Sequence, residues 1–315
     1  MDVLIATHAR PDYLEETLSQ VVAKGSSQGV SQVVVVENGG VFGARTICRK
    51  IDSPIPINYH FYPDANKSAS LNYGLRFCSD GLVFMTDDDV VISGSLFAEY
   101  QRAASGFSSK AFFAGPTYPI YDQEPDPWIV SVLPCSARGW SLETGHFGPD
   151  DVSMGFNWSA YKSDLVNLGG FNPDFGPGSS TGATGQESNM QRRLLESGVK
   201  AIYLAEAKVG HRVPHGRCND EWLLARAERQ GIEYGIRRSA KEPHRINRLM
   251  VGQYCLTLRL WLKALSRPSR ENRFRWKSIL KMNRGMRKGI RLYKAGRLLV
   301  PPFPGLSVEE GGLSR

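Results

Sequence analysis

Three runs of four apolar residues, Val3–Ala6, Val33–Val36 and Leu82–Met85, each break off into polar residues or turn formers. Runs this short and this apolar suit strands buried on both faces of a parallel sheet. Helical patterns lie between them. Pro11 suits a first helical turn, and Tyr13, Leu14, Leu18 and Val21 recur at helical spacing. Ile57–Phe61 predicts another strand and Ser70–Phe77 another helix. Strands alternating with helices predict an α/β layer fold with a mainly parallel sheet. Ligands of such sheets bind just beyond the carboxyl ends of the strands. The polar breaks fall there: Thr7 and Arg10 after the first run, Glu37 after the second, Asp87, Asp88 and Asp89 after the third.

Three adjacent carboxylates repel one another unless something positive sits among them. A hard divalent cation, Mg²⁺ or Mn²⁺, takes oxygen ligands and suits the cluster. Such a cation favours phosphate oxygens in turn, which predicts a phosphorylated ligand. The competing reading is a solvated acidic turn that caps the next helix. Arg10 and Lys67 could balance a diphosphate, and each is as readily a surface charge. Glu37 could bind a ribose or a base edge, or simply brace the turn that follows it.

Further along, residues 116–150 are rich in Pro, Gly, Asp and Trp with little periodicity, as in a long functional loop. Residues 164–168 look helical, 173–185 form a glycine-rich stretch, 188–197 a helix and 199–204 a strand. The five cysteines are scattered without a Cys-x-x-Cys spacing, so neither a zinc knuckle nor a redox pair is supported, and reduced thiols are expected. The chain enters a strand at once and holds no run of about 18 apolar residues. A cytoplasmic protein is expected, peripheral to the cytoplasmic membrane face if its tail binds lipid. The net charge of +8 is unevenly spread: residues 216–315 carry 23 Lys and Arg against 8 Asp and Glu. An acidic body with a basic tail suggests two kinds of partner.

The order of several short motifs resembles glycosyltransferase family 2. They are Ile5-Ala6-Thr7-His8-Ala9-Arg10-Pro11, Val36-Glu37-Asn38-Gly39, Asn66 to Leu75, Thr86-Asp87-Asp88-Asp89, Gly155-Phe156-Asn157, Gly169-Gly170-Phe171, Gly185-Gln186-Glu187 and His211-Arg212-Val213-Pro214. The resemblance covers roughly residues 1–235. It implies a GT-A fold: a Rossmann-like, mainly parallel sheet flanked by helices, here with a helical C-terminal extension. The expected division is a catalytic domain over 1–218, its nucleotide-sugar half about 1–115 and its acceptor half about 116–218, then a basic helical region over 219–315.

The implied activity is metal-dependent transfer of a sugar from a nucleoside diphosphate sugar to an acceptor hydroxyl, usually with inversion, as in polysaccharide biosynthesis. The resemblance implies Asp89, Asp87 and His211 as metal ligands, His211 being expected to follow a strand. It implies Thr7, Arg10, Glu37, Asn66, Lys67, Asn72, Asp87 and Asp88 on the nucleotide sugar. Glu187 stands where the family carries its catalytic Asp, one carbon longer, and is the expected general base. Thr184-x-x-Glu187 also fits a capping box at the start of the following helix. On the acceptor side Trp128, Asp151 (beside Asp150), Asn157 and Trp158 are candidates, with tryptophans as often core anchors.

The tail interleaves Arg237, Arg238, Arg245, Arg270, Arg273 and Arg287 with Leu258, Phe274 and Trp276. Two readings fit: a basic interfacial helix on an anionic membrane surface, or an extension packed on the catalytic body. The implied acceptors are carbohydrates, small molecules or lipid-linked sugars. No nucleic-acid motif accompanies the charge. A sugar-phosphate nucleotidyltransferase shares the architecture but expects glycines after the first strand, where Thr7-His8-Ala9-Arg10-Pro11 has none. A non-catalytic nucleotide-sugar or polyanion binding module is the remaining alternative.

Overall fold

The computed structural model describes residues 1–148, 151–264 and 269–306. The first half alternates strand and helix: β1 Asp2–Thr7, α1 Pro11–Gly25, β2 Gln32–Asn38, α2 Ala44–Lys50, β3 Ile57–Tyr62, α3 Lys67–Leu75, β4 Leu82–Thr86, β5 Val90–Ile92 and α4 Leu96–Ala104. The second half runs β6 Ala111–Ala114, β7 Thr117–Tyr121, α5 Pro127–Val130, α6 Cys135–Arg138, β8 Trp158–Tyr161, α7 Lys162–Asn167, α8 Gln186–Glu196, β9 Lys200–Tyr203 and β10 Val209–Val213. Three helices close it: α9 Asp220–Lys241, α10 Ile246–Ala264 and α11 Arg270–Lys294.

The main sheet has seven strands in the order β3-β2-β1-β4-β8-β6-β9. All neighbours are parallel except β8, which runs antiparallel to both β4 and β6. The three apolar runs read from the sequence are β1, β2 and β4, side by side and almost wholly buried. Helices cover both faces, as all-parallel strands require. A small second sheet, β5-β10-β7, stands beside the carboxyl ends of the first.

Several details differ from the sequence expectations. The stretch 116–150 holds a strand and two short helices among its loops. α3 starts at Lys67 because Asn66 caps it, its side chain accepting from the Ala69 amide at 3.0 Å. α8 starts two residues earlier than its periodicity indicates. Of the candidates for acceptor contact, Trp158 opens the unforeseen strand β8 and Asn157 immediately precedes it. Trp158 is 1% exposed between Phe112 and Phe171 and has no face free for a sugar. The Asn157 amide donates to the Pro116 and Ala207 carbonyls and accepts from the Tyr100 hydroxyl, so it ties strands together.

The basic C-terminal helices pack on the body. α9 and α11 run the same way and touch backbone to backbone through paired glycines. A Cβ on Gly231 or Gly235 would fall 2.0 or 2.2 Å from the carbonyl oxygens of Met282 or Met286, and one on Gly285 would fall 1.9 Å from that of Glu228. α10 links them in sequence and packs on α11, held by α11 side chains: Asn283 to the Gln253 carbonyl (2.8 Å), Arg287 to Thr257 (2.7 Å) and Arg291 to the Tyr254 hydroxyl (3.0 Å). The chain then folds back to the sheet-bearing body, where the Phe303 amide bonds the Gly169 carbonyl (3.0 Å) and Asn72 donates to the Pro304 carbonyl (2.9 Å).

Candidate active site

Register explains how the site assembles. β1 pairs with β4 so that Ile5 lies opposite Thr86. Two residues on, Thr7 and Asp88 are neighbours, and the Thr7 hydroxyl donates to Asp88 Oδ2 at 2.7 Å. The Thr17 hydroxyl on α1 bonds the Asp88 carbonyl at 2.8 Å, which pins the turn from below. Asp88 is 2% exposed, and burial pushes its carboxyl up to about 6 despite the Arg10 guanidinium 3.1 Å away. Its place is beneath the cleft floor, braced by β1 and α1.

Asp89 meets the second sheet. β10 pairs with β5 so that His211 lies opposite Val90, which sets His211 Nε2 3.3 Å from Asp89 Oδ1. His211 therefore sits inside a strand, not after one as the sequence suggested. Phe156 stacks on its imidazole at 4.5 Å and fixes the ring plane. The other Asp89 oxygen faces Arg10 at 2.5 Å and Arg217 at 3.4 Å. Burial alone would raise the Asp89 carboxyl, but His211, Arg10 and Arg217 overcome it and hold it well below the usual carboxylate range. Asp87 points the opposite way and pairs with Lys67 at the start of α3.

Glu187 forms the facing wall. Gly185 takes a left-handed conformation (φ 83°) and serves as N-cap of α8, leaving Glu187 in its first turn. The capping box read from Thr184 does not form: the helix starts one residue later, and the Glu187 carboxylate accepts no hydrogen bond among the described residues. Gly155 leaves it room, since a Cβ there would come within 3.0 Å of the Glu187 carboxyl carbon. α9 completes the wall with Trp222, Arg226 and Arg229, three residues on one helical face. The result is a cleft of about 430 Å³ between strand ends and helices, within the range of small-molecule sites. It gathers Thr7, Arg10, Lys67, Asp87, Asp88, Asp89, Glu187 and His211 from the sequence expectations.

Other expected residues are engaged elsewhere. Glu37 is buried, accepting from the Phe42 amide (2.6 Å), the Ala44 amide (3.2 Å) and the Tyr59 hydroxyl (2.7 Å), which is the turn-bracing alternative. Asn66 is a helix cap that also donates to the Pro173 carbonyl at 2.9 Å. Asn72 is fully buried on the Phe171 backbone. Trp128 packs edge-on against Phe274 with Arg270 over its ring and is not among the residues that line the cleft. Asp151 accepts from the Gly148 amide at 2.8 Å and closes its own loop, while Asp150 lies outside the described residues. Arg217, in the turn between β10 and α9, and Arg226 and Arg229 on α9 also line the cleft; no motif marks the first, and the spacing of the other two reads as an ordinary basic helix.

The donors present suit a divalent cation. Asp89 Oδ1 is buried and accepts no hydrogen bond among the described residues, although His211 Nε2 lies 3.3 Å away. An orphaned carboxylate oxygen beside an imidazole nitrogen is what two metal ligands look like without their ion. Among the described residues no three His, Cys, Asp or Glu side chains gather around one point. The protein thus offers a partial shell, the kind that Mg²⁺ or Mn²⁺ completes with water and substrate phosphates.

Residues 2–131 match the model of Glycosyl transferase family 2. The matched segment takes in the ends of β1, β2 and β4 and all three aspartates. No curated protein matches the chain. Among solved structures, a mannosyltransferase, PcManGT from Pyrobaculum calidifontis in complex with GDP-Man and Mn²⁺, superposes with a TM-score of 0.57 at 16% identity, covering 94% of this chain and 87% of that one. At that identity the likeness establishes the architecture alone: the matched segment and the segments after it form a GT-A fold with C-terminal helices.

Proposed function

We propose that this chain is a metal-dependent glycosyltransferase that moves a sugar from a nucleoside diphosphate sugar to an acceptor hydroxyl with inversion. One observation carries the reading. A single cleft holds the Asp89–His211 pair with its unsatisfied oxygen on one side and the unbonded Glu187 carboxylate on the other. The family match and a fold neighbour solved with GDP-Man and Mn²⁺ support the same chemistry.

A divalent cation on Asp89 and His211 would clamp the diphosphate and stabilise the charge it gains as a leaving group. Arg10 and Arg217, already gathered on Asp89, hold that carboxylate ionised and add positive potential where the leaving charge collects. Lys67 does the same from α3 while fixing Asp87. Glu187 removes the proton of the acceptor hydroxyl as its oxygen attacks the anomeric carbon. The bond from that carbon to the diphosphate breaks on the opposite side, which inverts the centre. Incubating the protein with a panel of nucleotide sugars and simple acceptors, with Mn²⁺ or with EDTA, tests this. Metal-dependent release of a nucleoside diphosphate is expected, and no release from any donor refutes the proposal.

The second part of the proposal concerns the tail. Among the described residues no helix is long and apolar enough to cross a membrane. α10 nevertheless leaves Val251, Leu256 and Leu258 exposed on a strongly basic segment. That supports shallow attachment to an anionic membrane surface, with a lipid-linked acceptor within reach.

A further inference from the structure

We infer that Arg226 and Arg229 on α9 form an oxyanion subsite on the acceptor side of the cleft, so that the acceptor carries a phosphate or carboxylate group near its reacting hydroxyl. The inference rests on the proposed transfer reaction and adds the acceptor's chemical class to it.

The charges of the cleft sort into pairs, with one remainder. Asp87 is matched by Lys67, and Asp88 and Asp89 by Arg10 and Arg217. These groups would hold the donor diphosphate and its cation. What remains lies on the other wall: Glu187, Arg226, which feels the Glu187 charge, and Arg229. Neither arginine makes an ion pair or a hydrogen bond to a side chain or carbonyl among the described residues. The Nε–H of Arg226 is buried without an acceptor. A guanidinium in that state is costly to keep, and an oxyanion that accepts from its edge offsets the cost.

Electrostatics point the same way. Burial lowers the Arg226 pKa, and the like charges of Arg229 and Arg217 lower it further, with only Glu187 opposing. Nothing in the fold requires that concentration. Trp222, Arg226 and Arg229 share the cleft-facing stripe of α9, while the packing of the helix depends on Gly231 and Gly235 on another face. The stripe therefore serves what enters the cleft. Glu187 is the proposed base, so an anion on Arg226 and Arg229 sits on the same molecule as the hydroxyl it deprotonates. Trp222, next on the stripe, offers an apolar surface to the rest of that acceptor.

The test uses full-length protein loaded with GDP or UDP and Mn²⁺, titrated calorimetrically with inorganic phosphate and, separately, with glucuronate. The wild type is expected to bind at least one of them with nucleotide present, and the better probe tells phosphate-bearing from carboxylate-bearing acceptors. Arg226→Gln and Arg229→Gln are each expected to weaken that binding about tenfold, the loss of one charge-assisted contact, with nucleotide–Mn²⁺ affinity held within about twofold. Arg229 is exposed, so its substitution leaves the fold intact if Arg226→Gln does not. A tenfold loss of nucleotide affinity in either folded variant overturns the inference, because the arginines would then serve the donor. Binding of neither anion to the nucleotide-loaded wild type overturns it too, leaving the transfer reading standing. Failure of the wild type to bind any nucleotide with Mn²⁺ brings down that reading, and the subsite with it.

Discussion

Replacing Glu187 by glutamine separates the proposed chemistry from the fold. The side chain keeps its length and shape, so the close contact that Gly155 permits, 3.0 Å from a Cβ there to the carboxyl carbon, is unchanged. No hydrogen bond is lost, since the carboxylate accepts none among the described residues and does not cap α8. The change removes a negative charge felt by the largely buried Lys67 and Arg226, though neither lies within ion-pair distance of Glu187. Stability should therefore fall by about 1 kcal/mol, the usual size of a single-site change that opens no cavity and breaks no direct contact. Loss of a general base costs roughly 10²–10⁴ in rate, or about 2.7–5.5 kcal/mol of barrier at 1.36 kcal/mol per decade. Steady-state release of nucleoside diphosphate, measured beside a thermal melt, reads both quantities. The expected outcome is a fall in kcat of at least a hundredfold with donor KM and Tm nearly unchanged. Activity within about threefold of wild type would remove Glu187 from the mechanism. An activity loss matched by a collapse in Tm would show a structural role instead.

Three further outcomes follow from other contacts. Gly155→Ala should push Glu187 aside by a few tenths of an ångström and lower kcat about three- to tenfold with nucleotide affinity preserved; unaltered kcat would mean that the placement of Glu187 is not critical. Asp88 has its carboxyl raised from 3.8 to about 6 by burial, so in EDTA its ionisation destabilises the fold by roughly 3 kcal/mol at most, a penalty complete above pH 6 that shrinks as pH falls from 6 towards 3.8 and is absent below it. The Tm difference between Asp88→Asn and wild type should accordingly be more favourable to the variant at pH 7.5 than at pH 5, and a pH-independent difference would contradict the assignment. Val251→Asp with Leu258→Asp, on the exposed face of α10, should reduce co-sedimentation with anionic vesicles and leave folding intact, whereas truncating α11 would strip α9 of its packing partner; unchanged partitioning would dismiss the membrane reading.

The parts of the molecule that were legible in the sequence are those governed by local pattern. Val3–Ala6, Val33–Val36 and Leu82–Met85 announce central parallel strands because such strands are apolar on both faces, and their polar ends mark the cleft. Strand β8 was not legible, since its Trp158-Ser159-Ala160-Tyr161 has no apolar run of that kind and its pairing partners are distant in sequence. That is why Asn157 and Trp158 read as site residues and lie in the core. Glu37 illustrates a different limit: a carboxylate after a strand can face a ligand or its own turn, and only the positions of the Phe42 and Ala44 amides decide. Arg226 and Arg229 were invisible as site residues because the docking of α9 is set by four glycines spread over two helices. No periodicity within α9 reports which face meets Glu187.

The central claim is that Asp89 brings a divalent cation to a nucleoside diphosphate. Calorimetric titration of GDP and UDP into wild type and Asp89→Asn, each with Mn²⁺ and with EDTA, tests it most directly. Saturable binding of at least one nucleotide to the wild type only with Mn²⁺, weakened tenfold or more in Asp89→Asn as expected for a lost metal ligand, is the predicted result. Equal binding in EDTA, or undiminished Mn²⁺-dependent binding to Asp89→Asn, would contradict it.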